Sequence, residues 1–249
     1  MTFIEALNSQ DLEKIRKFPK ADLHNHFVLG GSREYIFNKT GYKIKSITTP
    51  LKSMGEMDSW SSKYIGNHFN SPEGRKLLIE ATFAQAKFDG VTVLEIGEDV
   101  WGLGEFFDND IEKMIFCFQE ANARIAPEIE LRLQIGLSRH CSVDYLMNCL
   151  SHFWGHKEFY SIDLYGDELA QSIANFIPIY DKAAENGLVL KAHVGEWGTA
   201  KDIITAVELL HLNEVQHGIA AVQDENVIEY LIENNIRLNI TCLLYTSPS

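Results

Sequence analysis

The stretch Leu188-Val189-Leu190-Lys191-Ala192-His193-Val194-Gly195-Glu196 decides how this chain is read. Its apolar and β-branched residues (Leu188, Val189, Leu190, Ala192, Val194) follow Asn186-Gly187 and precede a helical pattern, so the segment reads as a buried parallel strand. His193 and Glu196 fall at its carboxyl end, where barrels and open sheets of parallel strands build their chemistry. A histidine and a glutamate three residues apart offer one metal ligand or base and one proton carrier to a single pocket. Taken alone, the segment is more often a histidine satisfied by a backbone carbonyl beside a solvated glutamate, so the rest of the chain has to decide.

Working outward, the next signal is Ala21-Asp22-Leu23-His24-Asn25-His26-Phe27, which reads as a first strand. Strand side chains alternate faces, so His24 and His26 would point the same way and could share one metal ion; two polar residues in a surface turn is the alternative. Before it, Thr2 to Phe18 has the spacing of a short amphipathic helix that Pro19 ends. From Gly30 to Ser71 the pattern is irregular and rich in aromatics, and residues 31–71 read as a lid-like insertion over the pocket or as packing on outer helices.

Beyond residue 72 the chain alternates. Helical patterns near 73–88, 109–126, 142–150, 168–186, 200–211 and 224–234 separate apolar runs at Val91–Ile96, Leu131–Leu137, Phe159–Leu164, Leu188–Val194, Val215–Ala220 and Ile236–Cys242. Such βαβ alternation implies an α/β fold with a parallel sheet and right-handed crossovers. With the histidine strand it makes seven units of a TIM-type (β/α)8 barrel in a single domain spanning 1–249, lacking the eighth β/α unit. Leu243-Leu244-Tyr245-Thr246-Ser247-Pro248-Ser249 shows no helix pattern and reads as a non-native tail on a truncated barrel.

Composition bounds the function. Thirty-five acidic against 22 basic side chains give a net charge of -13, which excludes an extended nucleic-acid surface and needs no reading beyond solubility. No segment is long and apolar enough for a membrane helix, and Met1 to Lys20 lacks a basic n-region with an apolar run behind it. Four cysteines without a C-x-x-C pair fit a reduced, cytoplasmic protein.

Placed on the barrel, the notable residues converge from four strand ends, which packing alone does not explain. Pro19-Lys20-Ala21-Asp22-Leu23-His24-Asn25-His26, Ile162-Asp163-Leu164-Tyr165-Gly166-Asp167-Glu168, His193-Val194-Gly195-Glu196 and His217-Gly218 together resemble, in order and spacing, the motifs of the adenosine deaminase family of metal-dependent amidohydrolases. The resemblance implies one zinc ion on His24, His26 and His193, with Glu196 as proton shuttle. It implies that His217 orients or deprotonates the attacking water and that the Gly166 backbone contacts the substrate base. The implied activity is hydrolytic deamination of a purine nucleoside, purine base or related amino-heterocycle, with ammonia released by attack of zinc-bound hydroxide. No lysine lies between Phe159 and Leu164, where two-metal relatives carry a bridging one, so a single metal is expected.

The chain departs from the family pattern at three places. Family members usually follow the second histidine with leucine, aspartate and glycine, and that aspartate contacts ribose; here Phe27-Val28-Leu29-Gly30-Gly31 follows, without an acid. Cys242 is followed by Leu243-Leu244-Tyr245 instead of the usual proline-containing end, and the aspartate pair that ends the family's eighth strand has no counterpart. Two other readings stay open: an amidohydrolase cleaving an amide or ester, and an inactive binding or regulatory barrel. The partner expected is a small purine-like substrate, with no nucleic acid and no membrane; oligomeric state is not readable. His68, His140, His152, His156 and His211 receive no role, Arg139 reaches either the pocket or a surface ion pair, and Trp197 reads as core filling beside the site.

Overall fold

Seven strands lie in chain order in one sheet, every neighbouring pair parallel: β1 (Lys20–Asp22), β2 (Val91–Asp99), β3 (Glu130–Ser138), β4 (Phe159–Tyr165), β5 (Val189–Val194), β6 (Glu214–His217) and β7 (Arg237–Asn239). The computed structural model describes residues 2–49, 51 and 53–240. The sheet curls far enough that the segment after β1 meets the far strands. The Leu23 carbonyl accepts from Lys191 Nζ at 3.3 Å and Gln216 Nε2 at 3.2 Å, and His24 Nδ1 lies 3.1 Å from the Asn239 carbonyl. This is the TIM-type barrel architecture, and an eighth β/α unit is not among the described residues. The expected strand end at Cys242 and the 243–249 tail lie outside them.

Alternation along the strands gives the sheet two unlike faces. Leu94 and Ile96 on β2, Ile135 and Leu137 on β3, Ile162 and Leu164 on β4, and Leu190, Ala192 and Val194 on β5 are buried on the helix-covered face. The other set is polar and turns inward. Lys191 is wholly buried, with Glu95 Oε1 at 2.6 Å and Glu214 Oε2 at 3.0 Å, and Ser161 donates to Glu95. The barrel interior is thus filled at this level by a hydrogen-bonded ion cluster, where branched apolar side chains are usual.

Helices α1 (Phe3–Asn8) and α2 (Leu12–Arg16) precede the sheet. The single helix expected over residues 2–18 is broken at Gln10, whose φ of 53° is left-handed, after which Asp11 caps a new helix through the Lys14 amide. The first strand is also shorter than expected. It ends at Asp22, so His24 and His26 do not share a face by strand alternation. They lie in the following turn, with His26 at the N-terminus of the short α3 (Phe27–Gly30).

The insertion expected to be irregular is largely helical: α4 (Arg33–Thr40), α5 (Met54–Ser61), a π turn at Ser62–Gly66 and α6 (Asn67–Phe69). Ser32 and Ser53 cap α4 and α5. α4 and α6 pack against α7 (Pro72–Asp89), and His68 stacks on Tyr42 at 3.8 Å. Ser71, Pro72 and the left-handed Gly90 delimit α7 by N-cap, N1 and C-cap chemistry.

After β2 come α8 (Gly102–Phe106) and α9 (Ile111–Ile125), the latter packed against α7. α10 (Val143–Leu150), α11 (Ile177–Glu185), α12 (Ala200–Leu210) and α13 (Glu225–Glu233) are the remaining crossovers. The expected pattern at 168–186 loses its start: residues before Ile173 form a loop, and that loop carries Glu168 to the site.

Candidate active site

Each of the sequence-selected histidines arrives at the carboxyl end of the sheet. His24 Nε2 lies 2.9 Å and His26 Nε2 3.1 Å from His193 Nε2, and ligand atoms of His24, His193 and His217 all lie within 4.8 Å of one another. His24, His193 and His217 are buried. The backbone aims His217: β6 ends there with φ at 68°, a left-handed conformation costly for a side-chain-bearing residue, and Gly218 continues it at 66°. His217 Nε2 consequently faces Glu196 Oε2 at 3.5 Å.

Two ring tautomers follow from hydrogen bonding. His24 Nδ1 meets the Asn239 carbonyl, and His193 Nδ1 meets Asp163 Oδ1 at 3.3 Å, so in each neutral ring Nδ1 carries the proton and Nε2 is bare. Two bare nitrogens 2.9 Å apart repel unless a cation lies beside them. Burial, then the neighbouring rings, holds His24 well below its ordinary pKa, draws His26 down to about 4 and His217 to about 3, so these rings are neutral at pH 7. Neutral, convergent imidazoles whose second nitrogens are fixed by acceptors are the donor set of a zinc-type site, and the residues fit such an ion. A fourth, carboxylate ligand is not found among the described residues.

The acids divide by environment. Against the desolvation of its burial, the His193, His24 and His26 rings hold Asp163 below the ordinary carboxylate range. Burial pushes Glu196 up, with Glu168 adding to the shift against the pull of His193. One carboxylate therefore stays charged beneath the histidines, while the other, above them, holds a proton more readily.

Gly166 has φ at 93°, and a Cβ there would stand 3.2 Å from His140 Cδ2. Only glycine suits that turn, and the His140 ring left without a role by sequence packs against it. Arg139 makes no surface ion pair among the described residues: it is buried, lines a cavity beside Glu168, and its Nε and Nη2 donate to the Gln171 carbonyl at 3.0 and 2.8 Å. Asp163 and Glu168 lie within the fourth-strand motif, but nothing local in the sequence assigns them a role. Their partners, His193 and the 195–198 backbone, are 27 to 30 residues away, and only the strand register joins them.

A curled parallel sheet with histidines gathered at its carboxyl end has the fold of the amidohydrolases. A profile of the adenosine deaminase family matches residues 102–246, and the chain belongs to that family of hydrolases acting on C–N bonds. A putative adenosine/adenine deaminase of Treponema pallidum is 29% identical over 231 residues, covering 93% of this chain and 77% of the relative. An adenine deaminase of Vibrio parahaemolyticus is 33% identical over 253 residues, covering 91% and 70%. Among solved structures, adenine deaminase from Arthrobacter aurescens superposes with a TM-score of 0.69 at 22% identity, over 88% of this chain and 71% of that one. A Burkholderia ambifaria amidohydrolase with bound Zn gives 0.70 at 17% identity, over 90% and 65%. Among the described residues no helix is long and apolar enough to cross a membrane.

Proposed function

We propose that this chain is a zinc-dependent hydrolytic deaminase of an aminopurine. The observation that carries the reading is Glu196 Oε2 facing His217 Nε2 at 3.5 Å beside the clustered histidines, a proton-handling pair next to a ligand set. His24, His26 and His193 would hold the ion; His217 is left to the reaction because its Nε2 is turned to Glu196. A zinc ion bound there lowers the pKa of a coordinated water to about 7.

The chain's own groups do the rest. His217 Nε2 takes up a proton from the attacking water, whose oxygen adds to the amine-bearing carbon of the ring. Glu196, its carboxyl shifted toward the protonated form by burial, donates to the adjacent ring nitrogen, which removes charge as the carbon becomes tetrahedral. The proton taken up by His217 then passes to the amine, ammonia leaves as the carbon–nitrogen bond breaks, and the hydroxyl proton of that carbon returns to Glu196. The backbone at Gly166 is left to contact the base.

The substrate preferred is the free base or a small aminopurine. Val28 stands where the family's ribose-contacting aspartate is usual, so no acid from that turn receives a sugar hydroxyl. The names of the Treponema and Vibrio relatives, which include adenine, support this choice. A reduced, cytoplasmic protein with Cys117, Cys141 and Cys149 as free thiols accords with it.

The test is ammonia release by the zinc-loaded chain from adenine, adenosine, 2′-deoxyadenosine and adenosine monophosphate, beside a panel of amides and esters. Release from at least one aminopurine, adenine first, is expected. Hydrolysis confined to the amides and esters, or a zinc-loaded protein without turnover, contradicts the reading.

A further inference from the structure

Glu196 stands on a tight turn, and the structure shows what holds it. Glu168, in the loop after β4, is buried and accepts from the Gly195 amide on Oε2 at 2.6 Å, and from the Trp197 and Gly198 amides on Oε1. These three N–H groups bracket Glu196 on both sides. Hydrogen bonds from backbone amides to a charged carboxylate are shorter and roughly twice as strong as neutral ones.

Beyond these bonds, the Gly195 carbonyl accepts from the Ala220 amide at 3.0 Å. Gly195 is left-handed, with φ at 74°, and its α-carbon faces Ile203 of α12 so closely that a Cβ would lie 2.7 Å from the Ile203 side chain. On the Glu168 side lies a cavity of about 330 Å³, bounded by Arg139, Glu168, Gly198, Asp202 and Thr205. Arg139 is committed to the Gln171 carbonyl, so the Glu168 oxygens face the turn. Without them, residues 195–198 have room to relax into the cavity.

We propose that Glu168 is a positioning residue, whose carboxylate grips the 195–198 backbone and so presents the Glu196 side chain to His217 above the histidine cluster. It touches no reacting atom and acts through Glu196. The proposal rests on the deaminase reading only for its kinetic consequence; the grip itself is a statement about three amides.

The test is Glu168→Gln in the full zinc-loaded chain, read in two ways. An amide side chain is neutral and offers one acceptor oxygen, so at least one of the three bonds is lost and the others lose their charge assistance. Amide hydrogen exchange at Gly195, Trp197 and Gly198 is expected to speed up at least about tenfold, with Ala192 to Val194 of β5 unchanged. On an aminopurine that the wild type turns over, kcat is expected to fall about 100-fold with KM within about threefold, as for a displaced proton donor. Unchanged exchange at the three amides overturns the proposal, and so does faster exchange throughout β5, which marks a merely structural role. Exchange confined to the turn with kcat unaltered overturns the link to catalysis. If the wild type deaminates no purine, the functional reading fails while the exchange measurement still decides the grip. Should Glu168→Gln not fold, Glu168→Asp keeps the charge and withdraws it by one methylene, and smaller changes in the same two readouts are expected.

Discussion

His24 and His193 turn their Nε2 atoms to each other across 2.9 Å, while the Asn239 carbonyl and the Asp163 carboxylate occupy the opposite nitrogen of each ring. The contact joins the first strand's exit to the fifth strand's end and makes sense as two ligands of one cation. Removing that cation with a chelator leaves two lone pairs opposed in a buried space. The metal-depleted protein is expected to lose stability, by about 4 kcal/mol for an ion present at 1,000 times its dissociation constant, and to regain it on adding zinc. Thermal melts with and without dipicolinate check this, and identical melting temperatures contradict it.

Asp163 tunes that pair from beneath. Asp163→Asn keeps an oxygen near His193 Nδ1 but removes the charge that makes the ring a stronger ligand. Zinc affinity is expected to fall about 10- to 100-fold with the fold intact. Competition titration against a chromophoric chelator measures it, and an unaltered affinity would remove Asp163 from the account.

Deeper in the barrel, Lys191 is wholly buried between Glu95 and Glu214. Glu95 Oε2 already has no partner among the described residues, so Lys191→Met leaves two buried carboxylates with less compensation. A loss of about 3 to 5 kcal/mol is expected in urea denaturation, and adding Glu95→Gln is expected to recover part of it. A variant as stable as the wild type would show that the cluster is not ionised as drawn.

Asp99, at the end of β2, gives stability a pH dependence. Burial first, then the charge of Glu98, pushes its carboxyl from the ordinary 3.8 up to about 8. A folded-state pKa above the unfolded one means that the folded chain binds the extra proton between about pH 4 and 8, so stability falls as pH rises through that window. Asp99→Asn carries no such charge. Denaturation midpoints of the two proteins are expected to diverge in the variant's favour from pH 4 to 8 and to run parallel above it; curves parallel throughout contradict the shift.

Much of this was legible in the sequence because parallel strands write themselves as short apolar runs between helical patterns. Each of the six runs after residue 90 contains a strand, although β6 stops at His217 short of Ala220 and the run Ile236–Cys242 passes beyond the described residues; His193, Glu196 and His217 lie at or just past strand ends. Where the reading failed, local pattern and structure diverge for physical reasons. His24 and His26 converge although β1 stops at Asp22, since a turn can place two rings as well as a pleat can. Residues 31–71 hide their helices behind polar and aromatic side chains that follow no clean period, and serine caps set their starts instead. The partnerships of Lys191 with Glu95 and of Glu168 with the 195–198 amides depend on strand register, which no local window contains.

The central claim is that Glu196 carries the proton of a deamination at a histidine-bound metal. The measurement that tests it most directly is ammonia release from an aminopurine by wild type and Glu196→Gln, each with its zinc content determined. The account predicts equal zinc in both proteins and a loss of about 100- to 10,000-fold in kcat for the variant. A variant that retains its zinc and turns over at the wild-type rate would contradict it.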